Sequence, residues 1–144
     1  MKVEIRISPD VEEAYAVIYA SAVTDEVQRL AASIESAHGV LSAKDGDRIA
    51  VLRAEEIFMV RVEGGKTVVR TRSGVYTSHK RLYEWEAQLG KAFMRISKST
   101  LVNLNEIDGV ESSFNGMMTL ILKNGCKDYI SRKYLPDFKR YLGI

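Results

Sequence analysis

Residues 93–108 read FMRISKSTLVNLNEID, and residues 124–143 read NGCKDYISRKYLPDFKRYLG. Each stretch places a basic centre on a short turn at the end of a strand. In the first, Arg95, Ser97, Lys98 and Ser99 surround a break between the apolar Ile96 and Leu101. In the second, Ser131, Arg132 and Lys133 separate a β-rich run from a helical pattern. Charged and hydroxyl side chains on a rigid turn are suited to reaching phosphates and base edges in a DNA groove.

Outward from these segments the chain reads as mainly β. Turn dipeptides recur at Asp45-Gly46, Gly64-Gly65, Ser73-Gly74, Asp108-Gly109, Asn115-Gly116 and Asn124-Gly125. A spacing of about 8–12 residues between turn signals indicates a sandwich, barrel or meander. Strands are predicted over 57–62, 67–71, 107–114, 117–123 and 127–130. The run Thr119-Leu120-Ile121-Leu122 alternates only in part, which predicts a strand covered on both faces. Two helical patterns stand beside them. Leu82, Trp85 and Leu89 share a helix face within 80–89, and Leu135, Phe138, Tyr141 and Leu142 share one within 135–142. Pro136 is tolerated only in the first turn, so the second helix starts beside it. Both helices are expected to cover open faces of the sheet.

Residues 1–44 differ in character. Val3, Ile5 and Ile7 alternate as in a strand, and 15–20 is a candidate second strand. Thr24 is a plausible N-cap, with Asp25 and Glu26 in the first turn of a helix. Val27, Leu30, Ala31 and Ile34 lie along one side of that helix, and a stop is expected near His38-Gly39. A domain boundary is placed at 44/45, with a small strand/helix unit ahead of it. The charge also changes there. Residues 1–44 carry 4 Lys and Arg against 7 Asp and Glu, net −3; residues 45–144 carry 17 against 12, net +5. Such asymmetry suggests that only the later part faces a polyanion.

Other classes lack their parts. There is no run of about 18 apolar residues for a membrane span, and the N-terminus lacks the basic-then-apolar pattern of a signal peptide. One cysteine, Cys126, permits no internal disulfide, which fits a cytoplasmic protein. The two histidines, His38 and His79, and Cys126 lack zinc-finger spacing. There is no P-loop, dinucleotide fingerprint or other cofactor pattern. No nucleophile-elbow pattern supports a serine enzyme, although a triad can be assembled in space.

The two opening segments resemble the LytTR family of bacterial DNA-binding domains. That family's pattern is an aromatic-x-Arg, a polar triplet ending in Ser, an apolar run, Val-Asn and Ile. It stands here as Phe93, Arg95, Ser97-Lys98-Ser99, Leu101-Val102-Asn103 and Ile107. The closing motif stands as Tyr129-Ile130-Ser131-Arg132, and the resemblance covers about residues 45–143. It implies an elongated β-sheet domain over 45–144 with short covering helices. It also implies a transcriptional regulator that binds double-stranded DNA, as a dimer on repeated sites.

The resemblance assigns roles by position. The turn at Ser97, Lys98 and Ser99 is expected to enter a major groove, with Lys98 on the bases. Family members commonly have His where Ser97 stands and Asn or Arg where Lys98 stands. A lysine offers a point charge and not a planar fork, so the base preference is expected to differ. Ser131 and Arg132 are expected at a second major groove, where a forked arginine can bond guanine O6 and N7. Arg132 could instead pair with Asp128 or Asp137. Lys133 reads as a phosphate neighbour, and Lys66, at the Gly64-Gly65 hairpin tip, as a further contact. Arg95 could touch phosphate or orient the turn by bonding backbone carbonyls. Asn103 reads as a turn former that bonds the local backbone. Tyr129, Phe93 and Trp85 read as core or rim.

Many LytTR proteins carry a receiver domain ahead of this one, and 44 residues are too few for it. The resemblance therefore implies control by a partner, such as a membrane protein, and the acidic N-terminal unit is expected to dimerise or to dock that partner. The competing class is a protein-interaction module whose basic turns bind an acidic partner.

Overall fold

The computed structural model describes residues 2–12, 14–35, 40–113 and 115–144. A seven-stranded antiparallel sheet forms the centre. Its strands are β1 (Ser42–Asp45), β2 (Arg48–Val51), β3 (Ile57–Glu63), β4 (Lys66–Thr71), β5 (Val75–Ser78), β6 (Phe93–Arg95) and β7 (Thr100–Asn103). Their order across the sheet is β2-β1-β5-β4-β3-β7-β6. Strands β8 (Ile107–Ser112), β9 (Met118–Leu122) and β10 (Lys127–Ile130) form a second sheet in the order β10-β9-β8. Among the described residues there are three α-helices: α1 (Asp25–Glu35), α2 (Leu82–Leu89) and α3 (Leu135–Leu142). No helix among the described residues is long and apolar enough to cross a membrane.

The central sheet is apolar on both faces because each face meets a different layer. On one side Ile57, Val60, Val69 and Leu101 pack with Leu82, Trp85 and Leu89 of α2. On the other, Met59, Ile96 and Val102 pack with Leu120, Leu122 and Ile130 of the second sheet and Phe138 of α3. A register shift between Ile57 and Met59 inserts one residue into β3. Such a bulge breaks strict alternation, so Phe58 and Met59 both serve the second core. Trp85 is fully buried, and its indole N–H donates to Ser78 Oγ at 3.2 Å. Asn103 is buried; its amide donates to the Ile57 carbonyl at 2.9 Å and its Oδ1 accepts from Asn105 N–H at 3.0 Å. That is the turn-forming role expected of it.

Several expectations are corrected. Residues 2–7 and 15–20 form no strand; Val3, Ile5, Ile7, Tyr15, Val17 and Tyr19 stand exposed and Ile18 is half-buried. Thr24 does cap α1, accepting from Val27 N–H at 3.3 Å, but the expected stop at His38-Gly39 lies outside the described residues. Ile34 is exposed, as are Tyr141 and Leu142 of α3, so Phe138 alone anchors that helix deeply. Asp108-Gly109 is no turn: it lies within β8 at a register shift, a bulge. In β9, Leu120 and Leu122 are buried while Thr119 and Ile121 are half-buried, so the strand has one inward face. Strand β1 runs across the expected 44/45 boundary, and α1 packs against α2. The β1–β2 hairpin turns at Gly46-Asp47, with Gly46 at φ 62° and Asp45 already paired with Arg48.

Candidate nucleic-acid interface

Three loops converge at one end of the central sheet. The β3–β4 hairpin closes with Gly64 at φ 55° and Gly65 at φ 80°, and Glu63 pairs with Lys66. Two successive positive-φ residues make the tight turn whose twist suits a hairpin, and they leave Lys66 exposed at its exit. Next to it, Val62 N–H donates to the Ser99 carbonyl at 2.8 Å, joining the hairpin to the β6–β7 turn. Ser131 N–H then donates to the Ile96 carbonyl at 2.8 Å, joining that turn to the β10–α3 link. All three basic loops expected from the sequence are therefore tied in a row by backbone hydrogen bonds.

The β6–β7 turn is shaped by its own side chains. Ser97 Oγ accepts from Ser99 N–H at 3.2 Å and lies 3.3 Å from Ser99 Oγ. Both serines are half-buried, and Lys98 between them is exposed. Arg95 lies beneath, only 13% exposed, with Nε donating to Glu86 Oε2 at 2.8 Å and Nη1 to the Lys98 carbonyl at 2.9 Å. These bonds tie its guanidinium to the turn from inside. Ser131 likewise works through its backbone, its carbonyl accepting from Tyr134 and Leu135 N–H at 3.0 Å each.

Arg132 and Lys133 are exposed at the start of the link into α3. The acids that could have neutralised Arg132 are engaged elsewhere. Asp137 pairs with Arg140 at 3.2 Å, and Asp128 faces inward. Among the described residues, the side chains of Lys66, Lys98 and Arg132 have no hydrogen bond or ion pair. Lys133 Nζ stands 5.6 Å from the centre of the Tyr134 ring.

Beneath the loops lies a charged brace that reasoning from sequence did not find. Asp128 of β10 accepts from Thr100 Oγ1 of β7 at 2.7 Å and lies 3.4 Å from Arg61 Nη1 of β3. It thereby fastens the second sheet to the central one directly under the β6–β7 turn. Arg61 also grips Glu63, whose carboxylate lies 3.1 Å from Arg70 Nη1. Burial alone would raise the Glu63 pKa, but hydrogen bonds and charge from Arg61 and Arg70 outweigh it, and the pKa lies below that of an ordinary glutamate. Burial likewise works against the Arg61 charge, yet Glu63 and Asp128 raise its pKa overall. The signal for this brace was parity. Asp128 shares a strand face with the core residue Ile130, so an inward carboxylate was due a partner.

Tyr129 is 58% exposed on the other face of β10, at the rim, whereas Phe93 and Trp85 are core. His79 is exposed ahead of α2, and His38 lies outside the described residues.

Comparison with known proteins agrees with this architecture. The profile of a family described as the LytTr DNA-binding domain matches residues 47–143. An HTH-type transcriptional regulator of Staphylococcus aureus, itself uncharacterized, is 30% identical over 147 aligned positions, covering 100% of this chain and 99% of that protein. The sensory transduction protein LytT of Bacillus anthracis is 33% identical over 123 residues, 85% of this chain. This chain spans 46% of LytT, about half its length. Among solved structures, the LytTr DNA-binding domain of a Bacillus cereus protein superposes with a TM-score of 0.68 at 25% identity, covering 73% of this chain and 97% of that one.

Proposed function

The chain belongs to the LytTR family of DNA-binding domains, and from that premise we propose that it is a transcriptional regulator that reads successive major grooves of duplex DNA with its loops. One observation carries the reading: Lys98 and Arg132 are exposed, unpaired cations on two loops joined by the Ser131–Ile96 hydrogen bond. Cations left free on a fixed edge suit a polyanion whose counterions they displace. Lys98 and Arg132 contact base edges, Arg132 with its fork on guanine. Lys66 and Lys133 contact phosphates and set register. Arg95, Ser97, Ser99 and Ser131 hold the reading loops in shape. Two copies occupy repeated sites.

The test is selection of fragmented source-genome DNA on the purified chain at physiological salt, followed by sequencing. A short motif repeated at fixed spacing is expected. Enrichment that vanishes in Lys98→Ala and Arg132→Ala, with both variants folded, supports the assignment. Unchanged discrimination in both variants sinks it. Absence of any enrichment with folded protein moves the basic edge to an acidic protein partner.

A further inference from the structure

Residues 2–23 carry a surface that the DNA-reading edge does not use. Val3, Ile5 and Ile7 are 83%, 86% and 93% exposed, and Tyr15, Val17 and Tyr19 are 78%, 62% and 92% exposed. Each set alternates along the chain as one face of a strand does. Between them Val11 N–H donates to the Ser8 carbonyl at 3.2 Å, closing a turn with Pro9 at its second position. Among the described residues no other backbone hydrogen bond joins 2–23 to the chain, and neither run enters a sheet. Six large apolar side chains are thus left uncovered on two alternating runs, and exposed apolar groups gathered on one face mark interaction sites.

We propose that residues 2–8 pair with the same residues of a second copy of this chain, antiparallel, about a two-fold axis at Ile5. The charge pattern selects this occupant and this register. With Ile5 opposite Ile5, Val3 meets Ile7, Glu4 meets Arg6 and Lys2 meets Ser8. The apolar residues then share one face, and opposite charges face each other on the second, each contact off the axis occurring twice as a two-fold interface requires. An axis at Glu4 sets Glu4 against Glu4 and Lys2 against Arg6; an axis at Arg6 sets Arg6 against itself. Like charges directly opposite destabilise a strand pair. An axis at Val3 sets Ile7 against none of Val3, Ile5 and Ile7 of the second copy. In the single chain Arg6 Nε already lies 3.0 Å from Glu4 Oε1, so pairing extends an existing charge row into four alternating groups.

This deepens the paired-site reading above and rests on it for its use on DNA. The contact itself needs no DNA, so it is tested without it. Sedimentation equilibrium of the full chain is expected to show a dimer. Glu4→Arg alone and Arg6→Glu alone each convert two opposite-charge pairs into like-charge pairs, weakening the dimer roughly tenfold or more. An equimolar mixture of the two variants restores it, because each chain then presents the charge the other lacks. A parent chain that stays monomeric overturns the proposal, as does a mixture no tighter than its components. So does loss of the dimer in Ile49→Lys but not in Glu4→Arg, which moves the contact to the exposed edge of β2. A Glu4→Arg chain that still enriches the single-site motif keeps the DNA reading separate from the fate of this one.

Discussion

Asp128→Ala tests whether one carboxylate holds the two sheets in the register that the reading loops need. Thr100 is fully buried, and its hydroxyl donates to Asp128 Oδ2 at 2.7 Å. Removing the carboxylate leaves that hydroxyl without its acceptor, which costs about 1–3 kcal/mol. Arg61 loses a contact at 3.4 Å but keeps Glu63, so the ion pair adds at most about 1 kcal/mol. The expected loss is about 2 kcal/mol. At about 2–4 °C per kcal/mol for a chain near this size, Tm falls by about 4–8 °C. Calorimetry or urea unfolding measures it. Thr100→Val removes the orphaned donor, so the double variant is expected to lose less than the sum of the singles, with a coupling of about 1 kcal/mol. A loss for Asp128→Ala within about 0.5 kcal/mol of the parent, the range of an ordinary surface change, refutes the reasoning. Strictly additive single and double variants refute it too.

Lys98→Ala and Arg132→Ala are expected to leave Tm within a degree or two while each discrimination ratio between cognate and scrambled DNA falls, for Arg132 by about 1–3 kcal/mol; gel-shift titration gives the ratio, and a Tm collapse would assign them to the fold instead. Lys66→Ala should weaken all DNA sequences alike and reduce the salt-dependence slope by about 1; sequence-selective loss would move Lys66 to the bases. Arg95→Ala removes the donor to the Lys98 carbonyl and strips Glu86 of its partner. It is expected to cost about 2 kcal/mol and to blur specificity without touching DNA, so an unaltered selected motif counts against the positioning role. Because the folded pKa of Glu63 is lowered, its contribution is present above the unfolded value and is lost as pH falls through the folded one. Stability should therefore decline with acidification below pH 4.5, the ordinary glutamate value, and Glu63→Gln should flatten that decline; an identical acid limb in both proteins rules out a lowered Glu63 pKa as its source.

The fold was legible where turn chemistry and apolar runs coincided. Gly64-Gly65 between two β-branched runs gave the β3–β4 hairpin, and Asn124-Gly125 gave the β9–β10 hairpin. It was illegible where tertiary pairing overrides propensity. Ser42–Asp45 holds no β-branched residue, yet it lies between β2 and β5 and becomes a strand because both neighbours pair with it. Residues 2–7 are the converse case. Their alternation is clean, but periodicity names a face and not a partner, and a ladder needs both. The same distinction limits α3: Phe138, Tyr141 and Leu142 share a helical side, but only Phe138 reaches the second core.

The candidate site was legible at its surface and hidden at its base, for an electrostatic reason. A count of charges over residues 45–144 treats every cation alike, yet the fold divides them into two sets. Arg61, Arg70 and Arg95 are spent on Glu63, Asp128 and Glu86, which hold sheets and turn together. Lys66, Lys98 and Arg132 are left exposed with no acid partner among the described residues. An internal ion pair projects little field, whereas a free cation on the surface attracts a polyanion across a Debye length of about 8 Å at physiological salt. The modest net charge therefore understates the edge. The acids beneath it take up the structural arginines and leave the outward cations free, so replacing Asp128 or Glu86 should disturb DNA binding by loosening the loops they brace, through Thr100 and Arg61 or through Arg95, rather than by adding charge to the surface.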